Sequence, residues 1–273
     1  MPASNGNEMS KIGIIGASGW LGSSLAQGLV DAGVANPQDL ILSYRSRKPN
    51  ILPDAVWTLD NKLLAEEAAV VIVSVQPGDF PSVDIAIGGK LAISVMAGIN
   101  LAALSRHLGT DRVVRSLPNA AAEVRQSYTP WVASPKVTDE DRALLRRIAG
   151  AWGEADELRF ELDLDYFTGL TGSGPAFPAL LARAMARDAV ARGIDPAIAR
   201  KAVVAVLKGA GALFERTSDA PEDVVRRFVD YKGTTSAALE AMIAGNFERA
   251  VSNGLEAALA RSYVLGSSEG KVD

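Results

Sequence analysis

Cysteine is absent from the 273 residues and histidine occurs once, at His107. Disulfides, thiolate nucleophiles and cysteine-ligated metals are therefore excluded outright. One histidine leaves a metal centre without its commonest ligand and gives a Ser-His-Asp triad a single place to be. Gly172-Ser173-Gly174 does not have the G-x-S-x-G nucleophile spacing, which removes the remaining hydrolase signal. No run approaches the ~18 apolar residues of a membrane-spanning helix. Basic charge is also in short supply: the net charge is -4, so nucleic acid or an anionic membrane would find no diffuse positive surface. The expected partner is a small molecule. Met1–Ser10 is small and polar, without the basic and apolar regions of a secretory leader. It is expected as a disordered tail on a cytoplasmic protein.

What is present is an ordinary globular composition, 48% hydrophobic and 22% charged, with room for two domains. The first half alternates short apolar runs with helical stretches, the pattern of a parallel sheet covered by helices. Strands are expected at Lys11–Ile15, Asp39–Tyr44, Ala69–Val75, Lys90–Val95, Arg112–Ser116 and Trp131–Ala133, with a closing one around Glu157–Phe160. Helices are expected at Trp20–Ala32, Asp60–Glu67, Asn100–Leu108 and Thr138–Ala151. His107, late in one of these, reads as a solvent-facing residue favoured by the helix dipole rather than as a catalyst. Glu161, Asp163 and Asp165 alternate, so in an extended segment they share one face, and they read as a solvated edge. Beyond Asp165 the strands disappear, and helices follow at 175–192, 196–216, 221–229, 235–244 and 247–265.

Four turns carry the chemistry. Gly16-Ala17-Ser18-Gly19-Trp20-Leu21-Gly22 ends the first strand in glycines at a helix start, which suits a phosphate. Its spacing is one residue longer than the G-x-G-x-x-G dinucleotide fingerprint. The second expected strand ends in Arg45, Ser46 and Arg47, where an NAD site would place a carboxylate. Cations and a hydroxyl there suit the 2′-phosphate of NADPH, the alternative being a solvated basic turn. Gly169–Ala176 and Lys232-Gly233-Thr234-Thr235-Ser236 each set glycines and hydroxyls ahead of a helix, so each offers free amides to an anion.

The run Thr168-Gly169-Leu170-Thr171-Gly172-Ser173-Gly174-Pro175-Ala176-Phe177, the Gly233-Thr234-Thr235 turn and the closing Gly245-Asn246-Phe247 to Leu265-Gly266 block resemble the pyrroline-5-carboxylate reductase family. Upstream, Asp60-Asn61, Val75-Gln76-Pro77, Ser94-Val95-Met96-Ala97-Gly98-Ile99 and Arg112-Val113-Val114-Arg115-Ser116-Leu117-Pro118-Asn119 fall where the family has cofactor-side motifs. The resemblance implies an α/β Rossmann NAD(P)-binding domain over 11–162 and an all-α dimerisation and substrate domain over 163–273. It implies a homodimer through the C-terminal helices, with further assembly left open. The implied reaction is reduction of a cyclic imino acid, 1-pyrroline-5-carboxylate, to proline by NADPH, with NADH as the alternative donor. Gly16, Ser18, Gly19, Trp20 and Leu21 would surround the diphosphate, and Asn61, Val75, Pro77, Ala97, Gly98 and Asn119 would line the rest of the cofactor. The amides of Gly233, Thr234 and Thr235 would hold the substrate carboxylate, the Thr235 hydroxyl would bond the imine nitrogen, and Ser173 and Gly174 would complete the pocket.

The chain also departs from that pattern. The family's Ser-Pro-Gly-Gly reads Asp230-Tyr231-Lys232-Gly233, which adds a carboxylate, a phenol and an ammonium beside the expected pocket, with Lys232 or Tyr231 expected to contact the substrate unless these side chains face solvent or the other subunit. The family's Pro-Asn-Thr-Pro reads Pro118-Asn119-Ala120-Ala121, followed by Glu123 and Arg125 where apolar and glycine residues are usual. A related imino acid, or a chain that binds NADPH without catalysis, are the alternatives these departures raise.

Overall fold

The computed structural model describes residues 11–217 and 219–267, and the expected tail Met1–Ser10 lies outside the described residues. Two compact units emerge: one holds the chain up to Ser173 together with the part from Ala258 onward, the other is Gly174–Ala257.

The first unit is built on eight strands: β1 (Ile12–Ile15), β2 (Leu40–Ser43), β3 (Val56–Thr58), β4 (Val70–Val73), β5 (Leu91–Ser94), β6 (Val113–Ser116), β7 (Ser127–Ala133) and β8 (Gly153–Glu157). β1, β2, β4, β5 and β6 are buried at every residue, which explains their near-continuous apolar composition. Across the sheet the order is β3-β2-β1-β4-β5-β6-β7-β8, all neighbours parallel except β6 and β7. Ile12 pairs with Leu40 on one side and Val70 on the other, so β1 is central.

Helices cover both faces. α1 (Trp20–Asp31) and α4 (Asp139–Gly150) bury Leu25, Leu29, Leu145 and Ile148 against Ile12, Ile14 and Ile72. α2 (Asn61–Glu67) and α3 (Leu101–Leu108) bury Leu64, Leu104 and Leu108 against Ile15, Val71 and Val73. Their starts follow from capping. Asp60 accepts from the amides of Lys62 and Leu63 at 2.8 and 3.2 Å, Asn100 accepts from Ala103 at 2.8 Å, and Thr138 with Asp141 forms a capping box.

Four expectations need correction. The strand expected around Glu157–Phe160 is β8, at Gly153–Glu157. It begins on Gly153, at φ +141°, where any Cβ would overlap the Ser127 carbonyl, and its mostly polar residues form a sheet edge with no apolar run to read. β3 was not expected at all, being three partly exposed residues at the other edge. His107 is half-buried rather than solvent-facing: its ring lies 4.4 Å from that of Phe80, and Nε2 is 2.8 Å from the Val83 carbonyl. Glu161, Asp163 and Asp165 are helical, in α5 (Glu161–Phe167), because Leu164 is fully buried between Leu117 and Val132 and the acids suit a helix N-terminus.

The second unit holds α6 (Ala176–Ala191), α7 (Pro196–Arg216), α8 (Pro221–Asp230), α9 (Thr234–Ala244) and the first half of α10 (Phe247–Ser267). Asp195 caps α7 by accepting from Ala197 and Ile198, and Gly193 takes φ +88° after α6. Within this single chain no residue of α6 or α8 is buried.

Candidate active site

From β1 the chain crosses to β2 on one side, while β4 continues the sheet on the other. The loops part at this point and leave a crevice at the carboxyl edge. The crevice has a volume of about 640 Å³, and its lining includes Gly16, Ser18, Gly19, Arg45, Asn61 and Val75 from the residues anticipated by sequence. Gly16 sits at φ +80°, and a Cβ on it would lie 2.5 Å from the Ser74 carbonyl, so only glycine fits. Its amide donates to Ser43 Oγ at 3.2 Å, and its carbonyl accepts from Gly19 at 3.1 Å. A Cβ on Gly22 would overlap that same carbonyl, so the third glycine lets α1 start hard against the turn. α1 has neither a side-chain cap nor an acidic residue in its first turn, which leaves its leading amides and positive dipole end to an anion.

The remaining sequence candidates fall in other places. Trp20 is 57% exposed and donates from its indole to Glu123, while Leu21 packs against the core. Neither Trp20 nor Leu21 is among the crevice-lining residues. Ser46 and Arg47 are exposed beyond Arg45, whose guanidinium reaches Asp79 at 3.2 Å across the crevice mouth. Pro77 is half-buried after β4. Ala97 packs against Leu117, Val132 and Leu164, and Gly98, at φ +82°, lines a second crevice beside Arg115. Asn119 is buried. Its Oδ1 accepts from Ala121 at 2.9 Å, and its Nδ2 donates to the Thr171 carbonyl at 2.9 Å. Ser173 follows a single π-helical turn, Thr168–Gly172, and donates from both N and Oγ to the Thr168 carbonyl, at 2.9 and 3.2 Å.

In the second unit, Gly233 is the N-cap of α9 with no side-chain cap, so the amides of Thr234, Thr235 and Ser236 lack partners one turn back. Thr234 and Thr235 are exposed, Ser236 is buried with its hydroxyl on Glu240 at 2.8 Å, and Tyr231 is 83% exposed. Lys232 adopts φ +53° at the position where the family carries glycine. Gly174 leads into α6 in the same unit.

Sequence reasoning missed Ser43, Asp79 and Arg115. The lone arginine inside the apolar run Val113–Ser116 was the available signal, because a charge on a central strand must find partners. Its side chain is 2% exposed and pairs with Glu161 at 2.7 Å and Asp165 at 3.0 Å. Removing one partner of so buried a group costs about 3–5 kcal/mol.

A doubly wound sheet with a glycine-lined crevice at its switch point, followed by a helical unit, defines the class of two-part dinucleotide-dependent oxidoreductases. Comparison with known proteins narrows the class. Residues 11–98 match the family of coenzyme F420-dependent NADP oxidoreductases, and residues 161–265 match the pyrroline-5-carboxylate reductase dimerisation family. The pyrroline-5-carboxylate reductase of Thermus thermophilus is 32% identical over 257 residues, spanning 92% of this chain and 97% of the relative. That of Arabidopsis thaliana is 31% identical, spanning 96% and 97%. Among solved structures, the Plasmodium falciparum pyrroline carboxylate reductase with NADP bound superposes with a TM-score of 0.85 at 25% identity, covering 94% of this chain and 98% of that one. The chain belongs to the pyrroline-5-carboxylate reductase family.

Proposed function

We propose that this protein reduces 1-pyrroline-5-carboxylate to proline, with NADPH as the donor. The observation that carries the proposal is the crevice between β1 and β4, in a chain of this family. Gly16 and Gly22 strip side chains from a turn that ends at an uncapped helix start, so the backbone is open to a diphosphate. When bound, the reduced nicotinamide supplies a hydride to the imine carbon.

The chain supplies orientation and charge. Gly16, Ser18, Gly19 and the backbone amides of Trp20 and Leu21 at the start of α1 surround the diphosphate, and Arg45, Ser46 and Arg47 meet the 2′-phosphate. Asn61, Val75, Pro77, Ala97, Gly98 and Asn119 line the remainder. The amides of Gly233, Thr234 and Thr235 hold the substrate carboxylate at a helix N-terminus, with Gly174 and Lys232 of the same unit as further substrate contacts, and Ser173 is proposed as a substrate contact from the first unit. The Thr235 hydroxyl bonds the ring nitrogen, which must carry a proton for the carbon to accept hydride. No strong nucleophile is required, which fits a chain with no cysteine and a packed histidine.

The functional division falls near residue 162, cofactor before and substrate and dimerisation after, and is supported by family matches on either side. A homodimer is supported by the dimerisation family match and by apolar side chains of α6 and α7 such as Leu180, Val206 and Leu213, each more than half exposed in the single chain. A cytoplasmic location belongs to the same proposal. Among the described residues no helix is long and apolar enough to cross a membrane.

Thr235→Ala tests the chemistry. The expected result is a kcat lower by about ten- to a thousand-fold with NADPH affinity unchanged. An unchanged kcat would remove the hydroxyl from the mechanism. A second reading, a related imino acid with an added anionic group, rests on Lys232 holding a left-handed backbone beside the α9 N-terminus.

A further inference from the structure

Ala97 and Asn119, proposed to line the cofactor beyond its diphosphate, and Ser173, proposed as a substrate contact, define the reacting end of the site, yet none is among the residues lining the β1/β4 crevice. What gathers them is α5. Leu164 of α5 packs with Leu117 and Val132 against Ala97. α5 then runs on into the Thr168–Gly172 turn, whose Thr171 carbonyl accepts from Asn119 and whose Thr168 carbonyl accepts from Ser173.

A seven-residue helix does not hold itself in water. The fastening is Arg115. Glu161 and Asp165 lie one helical turn apart, so both carboxylates reach the same guanidinium, Nη1 to Glu161 Oε1 at 2.7 Å and Nη2 to Asp165 Oδ1 at 3.0 Å. Glu161 Oε1 also accepts from the Leu101 amide at 2.7 Å, at the start of the helix that follows Ala97 and Gly98. One carboxylate thus ties together β6, α3 and α5. An apolar contact of the same volume would be as stable or more so, but it would let α5 slide, whereas a planar guanidinium fork fixes direction.

We infer that Arg115, acting through Glu161 and Asp165, is a positioning residue for the reacting end of the site: it sets the Asn119–Thr171–Ser173 arrangement without itself touching substrate or cofactor. The inference rests on the proposed function for its kinetic consequence, and on the structure alone for its geometric one.

The test compares Arg115→Met, Arg115→Lys, Glu161→Gln and Asp165→Asn in the full chain. Three readouts are taken: NADPH oxidation with 1-pyrroline-5-carboxylate, NADPH titration by tryptophan fluorescence, and amide hydrogen exchange. In Arg115→Met, kcat falls by about ten-fold or more while the NADPH dissociation constant stays within about two-fold, and Arg115→Lys recovers part of the loss. Amides of residues 168–173 exchange about ten-fold faster, and those of residues 16–22 do not change. Glu161→Gln and Asp165→Asn keep their shape and carry the test if Arg115→Met does not fold. The inference is overturned if kcat and the protection of 168–173 survive in these variants, or if both segments lose protection and NADPH affinity falls in step with kcat. If the unaltered chain reduces no 1-pyrroline-5-carboxylate, the functional reading fails, and the exchange comparison still decides the role of Arg115.

Discussion

At the residue scale, two of the chain's departures from its family share one physical feature. Arg125 at φ +57° and Lys232 at φ +53° both stand where glycine is usual in the family, and an L-residue in that backbone region costs about 1–2 kcal/mol. Arg125 recovers little in exchange, a 3.5 Å contact to the Asp31 carbonyl. Lys232 donates its amide to the Val229 carbonyl at 3.1 Å and adds a cation just ahead of the α9 amides, which is where a substrate anion is proposed. Arg45 is another exposed cation with a proposed role. It lines the crevice with its side chain 84% exposed, and Asp79 holds it over the mouth. An exposed pair of this kind is worth little as stability, about 0–1 kcal/mol, so the arginine is cheap to redirect toward a phosphate. Replacing Arg45 and Arg47 together with alanine is predicted to raise KM for NADPH by about ten-fold or more and to leave KM for NADH within about two-fold. Equal changes for both cofactors in steady-state assays would argue against 2′-phosphate recognition.

At the scale of elements, α4 is fastened to the edge of β6 by one ion pair that reports on pH. Asp141 is 5% exposed in its side chain and bonds the Arg112 guanidinium through both oxygens, while the Thr138 amide adds a third bond at 3.0 Å. Burial by itself would raise the Asp141 pKa. The Arg112 guanidinium and the Thr138 amide outweigh it and hold the carboxyl below its usual 3.8. A depressed folded-state pKa means that the stabilisation is complete above 3.8 and is lost as pH falls through the lower folded value. Because Arg112 is 39% exposed, we place the contribution at about 1–2 kcal/mol. Asp141→Asn is predicted to lower stability by that amount near pH 7 in denaturant unfolding, and the gap to the unaltered chain should close below pH 3.8. A gap that stayed constant through the acid range would contradict the assignment.

The elements also show what could be read from sequence and what could not. Strands buried on both faces, such as Ile12–Ile15 and Val70–Val73, announce themselves as apolar runs, and capped helices such as α7 were anticipated residue for residue from Asp195 and Pro196. Edge strands carry no such signal. β8 reads Gly-Glu-Ala-Asp-Glu, and its place is set by Trp152 burying against α1 and Gly153 turning beside Ser127, contacts more than a hundred and about twenty-five residues distant in the first and second case. α5 is ambiguous in sequence because alternating acids fit a strand as well as they fit a helix, and the deciding fact, a buried arginine forty-six residues upstream of Glu161, belongs to tertiary structure. The phosphate turn was legible from its glycines, whereas Ser43 and Asp79 enter the crevice only through the order of strands.

At the scale of the whole molecule, a sheet-based unit that binds a dinucleotide is joined to a helical unit whose α6 and α8 bury nothing within one chain. Helices this short of buried contacts need a second surface, and the match to a dimerisation family supplies the expectation of which one. The central claim is that this protein reduces a five-membered cyclic imino acid. Steady-state oxidation of NADPH by the unaltered protein, with 1-pyrroline-5-carboxylate set beside larger, acyclic and doubly anionic imines, tests it most directly. The account predicts saturable turnover of 1-pyrroline-5-carboxylate, one proline formed per NADPH consumed, and a kcat/KM at least about ten-fold above every other imine. A higher kcat/KM for a different imine, or tight NADPH binding with no turnover of any of them, would contradict it.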